Sequence, residues 1–395
     1  MAWLDCLAPD DNYSGVPTSA PAPATMRRLQ ANLLDLPAAR QCWDVLAATA
    51  AEPNPFLESW YLVPALSALD PAGAVDVLVL QAGDAWLGLM PLARPRRYYG
   101  RPLAHFANWH HPNAFVGAPL VARGAEVLFW TALFDLLDRE AGRGLFLHLA
   151  DLPMDGTLAA ALKQVCATQG RPLGLVHCEE RAMLSSPLLP EAYLDAALSG
   201  KKRKELRRQH ARLAELGELE FVRRRDDTDV AEWTAAFLAL EAAGWKGKSG
   251  SALAGSRATA SLFSEAIAGA AARGRLERLT LSLDGAPIAM LATFLAPPGG
   301  FSYKTAFDER YARYSPGVLL QRENLALLAD PALDWCDSCA AADHPMIDHV
   351  WRERRAIGRF SVGIGGWARR QAFSLLLRAE MARSTFGPKR AGGRP

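Results

Sequence analysis

The run Tyr311-Ala-Arg-Tyr-Ser-Pro-Gly-Val-Leu-Leu-Gln321 places a set of helix-starting residues directly behind an arginine and two tyrosines. Ser315 is a good N-cap, and Pro316 suits the first helical position, where its missing N–H costs nothing. Gly317 lets another group approach the backbone closely. Unpaired N–H groups at such a helix start, helped by the helix dipole and by Arg313, make an anion site suited to a phosphate. A plain capped helix is the alternative reading. The equivalent place in the first half, Val116 to Ala122, has Gly117-Ala-Pro119 but no comparable cap, so a cofactor is expected in the second half.

A second segment, Glu241-Ala-Ala-Gly-Trp-Lys-Gly-Lys248, ends an apolar helix and opens a Gly/Ser loop. An aromatic beside two cations at a loop suits an anionic or sugar-like acceptor. A helix C-terminus with well-placed lysines is the plainer account. Cys336-Asp-Ser-Cys339 with His344 is a single CxxC without a fourth ligand, so no metal is expected. There is no GxSxG elbow and no Walker loop, which excludes the usual serine-hydrolase and P-loop readings. His110-His111 stands in a loop before Pro112, in a position to line a groove between the two halves, with no role assigned.

The elements that must hold these residues recur in order. Val75 to Leu80, a Gly83-Asp84 turn and Trp86 to Ala93 predict a hairpin; Arg278 to Leu283, Asp284-Gly285 and Pro287 to Leu295 predict another. Each is followed by a strand (Asn113 to Val121; Gly300 to Phe307) and an amphipathic helix (Glu126 to Asp138; Gly317 to Ala329). Next come a strand (Gly144 to Leu149; Leu333 to Cys336), a helix (Gly156 to Gln169; His344 to Arg354) and a closing strand (Leu173 to Cys178; Gly358 to Ile364). The order β-β-β-α-β-α-β, met twice, predicts an α/β chain with two copies of one mixed-sheet unit. The expected organisation is a disordered segment over 1–25, a first unit over 26–185, and a helical connector over 186–275. A second, catalytic unit over 276–384 and a disordered tail over 385–395 complete it.

Lys+Arg 44 against Asp+Glu 42 gives a net charge of +2, which by itself points to neither a nucleic acid nor an acidic substrate. Six scattered cysteines fit a reducing cytosol. No secretory signal and no transmembrane run is evident. The expected location is cytoplasmic, with peripheral contact on the inner membrane as a further option. The basic stretch Lys201, Lys202, Arg203, Lys204, Arg207, Arg208 and Arg212 reads as a solvated helix face, as a contact for anionic lipid or a phosphorylated envelope intermediate, or, least of all, as a nucleic-acid surface. Trp367 to Arg383 mixes apolar residues with arginines and suits either a membrane surface or packing on the domain.

The repeated unit, with an amide-rich turn between strand and helix, resembles the GNAT acyltransferase fold. Lys201 to Leu213, Glu241 to Lys248, Tyr303-Lys304, Tyr311 to Gln321, and Asp343-His-Pro-Met-Ile-Asp348 with Trp351 are together similar to the BioF2-like (CelD/BcsL) acetyltransferase family, and more distantly to the FemABX peptidyltransferases. The resemblance covers roughly residues 30–365. It implies two tandem GNAT-like domains with a helical connector, and transfer of an acyl group from acyl-CoA to an amine. Arg313 fits the GNAT phosphate loop, whereas Pro316 and Val318 stand where its glycines should be.

By resemblance, Arg313, Tyr314, Ser315, Gly317 and Val318 hold the acyl-CoA, and Glu241, Trp245, Lys246, Asp348 and Trp351 hold the acceptor. Such chemistry needs a base for the ammonium proton, donors for an oxyanion and a proton for the thiolate. The resemblance assigns these to Asp308 or His344, to the strand amides of Tyr303 to Ala306 with Lys304 beside them, and to Tyr303, Tyr311 or Tyr314. The implied acceptor belongs to envelope chemistry: an amino sugar, a polysaccharide intermediate or a sphingoid base, as in ceramide synthesis. A FemABX-like transferase fed by aminoacyl-tRNA and a non-catalytic binding protein are the alternatives.

Overall fold

The computed structural model describes residues 23–29, 33–344 and 346–386. In the first half it holds β1 (Thr25–Leu29), α1 (Pro37–Thr49), α2 (Ser59–Leu69), β2 (Asp76–Ala82), β3 (Ala85–Ala93), β4 (Phe106–Asn108), β5 (Leu120–Val121), α3 (Glu126–Arg139), β6 (Phe146–Pro153), α4 (Thr157–Thr168) and β7 (Leu173–Leu184). The second half holds α5 (Pro190–Ala197), α6 (Gly200–Ala214), β8 (Leu219–Arg224), α7 (Val230–Ala243), α8 (Trp245–Lys248), α9 (Arg257–Ala271), β9 (Leu276–Leu283), β10 (Ala286–Ala296) and β11 (Gly299–Phe307). It ends with α10 (Pro316–Asn324), β12 (Trp335–Asp337), β13 (Glu353–Gly363) and α11 (Trp367–Phe386).

The strands form one mixed sheet in the order β1-β2-β3-β4-β6-β13-β7-β12-β11-β10-β9-β8, with β5 on β3. This order is a palindrome if β1 is matched with β8, β2 with β9, β3 with β10, β4 with β11, β6 with β12, and β7 with β13. The two halves are therefore copies of one plan. Their last strands are exchanged: β13 pairs with β6 of the first half, and β7 pairs with β12 of the second. At the centre β7 and β13 run antiparallel over a long register from Glu353↔Met183 to Val362↔Leu173. The expectation that each closing strand completes its own unit is thus corrected. A period-2 apolar pattern makes a strand but does not choose its neighbour.

Helices cover the faces with apolar stripes. On α3, Phe129, Trp130, Leu133, Phe134 and Leu137 are buried, at the spacing of one helix face. Gly285 and Asp284 both take positive φ (75° and 49°), the geometry a tight hairpin turn demands between β9 and β10.

Some expectations fail. The segment 113–121 is a strand only at Leu120–Val121, and its place beside β6 is taken by β4. The expected helix from His344 to Arg354 is a set of turns entered through Asp343 at φ 59°, and Glu353–Arg354 already belong to β13. The connector is not all helical, because β8 adds a strand to the sheet edge beside β9. β1 likewise extends the other edge. Of the segments expected to be disordered, 1–22 and 387–395 lie outside the described residues. No described helix is long and apolar enough to cross a membrane.

Candidate active site

β11 and β12 pair in parallel at Gly299↔Trp335, Gly300↔Cys336 and Phe301↔Asp337, and then part. Between Ser302–Phe307 on one side and Ser338–Ala341 on the other lies a cavity of about 610 Å³, within the range of small-molecule sites. α7, α8 and the turns after β12 supply the rest of its wall. A β-bulge at Tyr303, between the pairs Ala292↔Lys304 and Thr293↔Ser302, re-aims the strand there. Beyond the bulge, the Asp308 N–H donates to Ile288 on the β10 side (2.8 Å), while the Thr305 carbonyl accepts from Lys246 Nζ (3.3 Å). The N–H and C=O of one strand residue point the same way, and successive residues alternate. The Thr305 amide therefore faces away from β10, into the space where the strands have parted. That is a place for an oxyanion.

Glu241 and Lys246 meet at this wall. Glu241, at the end of α7, is buried, and its Oε1 accepts from Lys246 Nζ (2.7 Å) while Oε2 accepts the Leu253 N–H (2.8 Å). Lys246 is thus a positioned strut between α8 and β11. Trp245 stands 55% exposed at the mouth. Lys304 lies over the rings of Phe115 (5.0 Å) and Tyr303 (5.5 Å), which favours the charged ammonium.

His344 lines the cavity, and its Nδ1 is buried without a hydrogen-bond partner among the described residues. Burial pulls its pKa below the ordinary histidine value, Asp348 opposes this, and Lys246 adds to it. The result is a neutral imidazole near pH 7, able to take a proton.

Tyr303 is placed differently from the expectation. Its ring packs against Phe294 (4.4 Å) and Phe263 in the core, and its hydroxyl meets that of Tyr61 at 3.3 Å. Tyr61 spends its one proton on the Asn113 carbonyl (2.5 Å), so Tyr303 must be the donor between the two phenols. Burial raises both pKa values. The Tyr303 hydroxyl is aimed at a buried phenol outside the cavity wall. Tyr311 and Tyr314 pack in the cluster around α6 and α10, away from the cavity. Asp308 caps the following turn by accepting the Arg310 N–H (2.9 Å) and pairs with the Arg310 side chain, which lowers its pKa. It too lies outside the lining.

The start of α10 also departs from the reading of the sequence. Ser315 takes a left-handed conformation (φ 53°) and makes no side-chain cap; its carbonyl accepts the Val318 and Leu319 N–H groups instead. Gly317 is buried, and a Cβ there would come 2.7 Å from Met346 Sδ. Met346 lines the cavity and separates it from the 313–318 segment. Arg313 is exposed, stacked on Tyr314 (4.6 Å), beside α6, whose Gln209 amide reaches the Arg313 carbonyl. Val318 packs inward at the edge of the apolar clusters. Trp351 is fully buried with Ile347 and Val350, and Asp348 faces a separate shallow recess with Lys202 and Arg352. The structure therefore brings Glu241, Trp245, Lys246, Tyr303, Lys304 and His344 together, and leaves Asp308, Arg313, Tyr314, Ser315, Gly317, Val318, Asp348 and Trp351 outside the cavity.

The matching place in the first half is shut. β4 and β6 pair at Phe106↔Leu147 and Ala107↔His148, and just beyond this Asn108 sews the walls together. Its Nδ2 donates to Gly117 and Ala150 carbonyls (2.9 Å each), and its Oδ1 accepts the Ala150 N–H (2.8 Å). His111 is buried and stacked on Tyr61, and His110 pairs with Asp151 (3.2 Å).

Several wall residues carry no local signal for this site, Ser338 and Cys339 having stood out only as part of a lone CxxC. Phe115 comes from the first half, and Ser302, Ser338 and Cys339 lie at the inner end. Beneath them Asp337 joins Arg181 of β7 (2.6 Å) and Arg355 of β13 (3.5 Å), an arrangement that no spacing along the chain reveals.

Residues 200–344 match the family model described as an acetyltransferase (GNAT) domain. No curated protein sequence matches significantly. Among solved structures, the chain is similar to FemX (10% identity, TM-score 0.53), with 86% of this chain and 98% of that one covered. It is also similar to the C-terminal domain of a putative lysylphosphatidylglycerol synthetase from Agrobacterium fabrum (12% identity, TM-score 0.51, 86% and 95% covered). A conserved protein of unknown function from Bacteroides thetaiotaomicron aligns equally well (10% identity, TM-score 0.51, 86% and 99% covered). With the palindromic sheet and the parted parallel strands, these likenesses give the chain a tandem GNAT, FemABX-like fold, with the acetyltransferase-type domain matched over residues 200–344.

Proposed function

We propose that the protein transfers an acyl group from acyl-CoA to the amine of a cell-envelope precursor, either an amino sugar of a polysaccharide intermediate or a sphingoid base. The observation that carries this reading is the cavity between β11 and β12, with an outward-facing strand amide on one wall and a neutral imidazole on another. The amine nitrogen attacks the thioester carbonyl, and a C–N bond forms. The Thr305 N–H stabilises the oxyanion, and His344 takes the ammonium proton. The C–S bond then breaks, and the proton that His344 took from the amine passes to the thiolate, which leaves as the free thiol. Lys246, fixed by Glu241, holds the Thr305 peptide in register for this step.

The donor's phosphates are assigned to the surface around Arg313 and the cations of α6. At the start of α10 the thioether of Met346 packs against Gly317, and the Val318 and Leu319 N–H groups are already bonded to the Ser315 carbonyl, so a pyrophosphate finds few free amides there. That cover is the specific observation favouring a second reading, in which an aminoacyl-tRNA is the donor and rests on α6 without entering the α10 start. An acceptor in an anionic membrane would meet the same basic face. Thiol release from a panel of short- and long-chain acyl-CoAs, with candidate amines added, tests the first reading. Absence of both CoA binding at millimolar concentration and thiol release would overturn it. Binding of charged tRNA that weakens steeply with salt would establish the second.

A further inference from the structure

We propose that Asp337 is the positioning residue of the cavity, gripped by one arginine from each exchanged strand so that the two walls stay parted at a fixed width. This rests on the reading of the cavity as the acyl-transfer site. Asp337 is the last residue of β12 paired with β11, at the point where the strands separate. It is fully buried. Its Oδ2 accepts from Arg181 (2.6 Å) and from Arg355 (3.5 Å), and its Oδ1 accepts the Cys339 N–H (2.9 Å). The other arm of the Arg181 fork donates to the Phe115 carbonyl (2.8 Å). Cys339 and Phe115 both line the cavity, and they come from different halves of the chain.

Two features show that this junction fixes shape. Cys339 is held at φ 52°, a conformation that a residue with a Cβ keeps only where its surroundings demand it, and the bond from its N–H to Asp337 supplies that demand. A guanidinium fork has fixed geometry, so one Arg181 side chain sets Asp337 and Phe115 relative to each other. The first half supplies the contrast. There the equivalent position is His148, bonded to Ser361 Oγ (3.0 Å), and the walls beside it are closed by Asn108. The first half also holds a buried carboxylate, Asp151, paired with His110 and with Arg359 of β13, but there Asn108 closes the walls, whereas Asp337 is held from both β7 and β13 where the walls stay parted. Two buried arginines on one carboxylate are a costly way to stabilise a fold, and apolar packing would serve stability as well. The arrangement makes sense as a spacer.

The test uses the full chain with two variants. Asp337→Asn keeps the shape and the acceptor for Cys339 but removes the charge that grips both arginines. Arg181→Lys keeps the charge but loses the fork. The maleimide labelling rate of each cysteine is read by peptide mass spectrometry under native conditions, with buried Cys166 in the first half as the gauge of general opening. Cys339 is expected to label about tenfold faster in either variant while Cys166 stays protected. In the acyl-transfer assay kcat falls on the order of tenfold with KM for acyl-CoA nearly unchanged, as misplacement without lost binding requires. The proposal is overturned if Cys339 stays as protected as in the wild type, if Cys166 and Cys339 become labile together, or if kcat holds while Cys339 opens. If Asp337→Asn does not fold, Arg181→Lys decides. If the wild type turns over no acyl-CoA at all, the reading of the donor fails, and the labelling result still judges the junction.

Discussion

His344 reaches the cavity at the end of a turn that holds its ring half-buried and its Nδ1 unpaired among the described residues. An ordinary histidine is half protonated near pH 6.5, and burial lowers this one. As a base it should therefore stay active to more acid pH than a solvent-exposed imidazole. The acid limb of kcat/KM is expected below about pH 6.5, and His344→Gln is expected to lower kcat by roughly a hundredfold. A pH–rate profile of the two proteins checks this; an unchanged acid limb in the variant would remove His344 from the role. Glu241, Trp245 and Lys246 were legible as a group because a short motif places them within five residues of one another. Phe115, Arg181 and Asp337 were not, since their meeting depends on strands far apart in the chain. The tyrosines misled for a simple reason: a phenol can serve chemistry or fill a core, and residue type alone does not say which way the hydroxyl points.

Parallel strands that part leave unpaired edges, and the two halves settle this differently. In the second the space is a cavity; in the first Asn108 supplies the missing hydrogen bonds. Asn108→Ala would leave the Ala150 N–H and the Gly117 and Ala150 carbonyls without this partner. A loss of about 2–3 kcal/mol is expected in urea unfolding, given about 1 kcal/mol for each such bond, with acyl transfer by the folded protein unaffected. Both hairpins could be read in advance because Gly and Asp at the turns mark reversals that few other residues tolerate. The α10 helix was legible from Pro316, but its N-cap was not: Ser315 enters at positive φ, which moves its hydroxyl out of capping geometry. The expected helix after His344 fails because Asp343, at φ 59°, turns the chain and Trp351 is drawn into a separate core before a helical turn can be built.

Across the whole molecule, buried histidines link stability to acidity. Desolvation, the leading cause in both, pushes His111 and His148 down to about 3, so each is neutral in the folded state over a range where the unfolded chain is protonated. The unfolded chain then binds more protons between about pH 3 and 6.5, so stability is full above that window and falls as pH drops through it. By pH 5 each should cost about 2 kcal/mol relative to pH 7, measured as the shift in urea midpoint. The exchange of β7 and β13 makes a second claim. Neither 23–185 nor 186–386 expressed alone should fold, and the full chain should unfold in one transition seen alike by circular dichroism and tryptophan fluorescence. An isolated half with native-like dispersion would refute this.

The crossed closing strands also set a timetable for synthesis. β7 is complete at Leu184, yet β13, which must lie between it and β6, begins only at Glu353. At bacterial-like elongation speeds that gap of 168 intervening residues lasts on the order of 10–30 s. Throughout it the nascent chain carries two unfilled edges at its centre, so the ribosome-bound protein is at its most vulnerable to chaperone capture or mispairing long after its first half has been made.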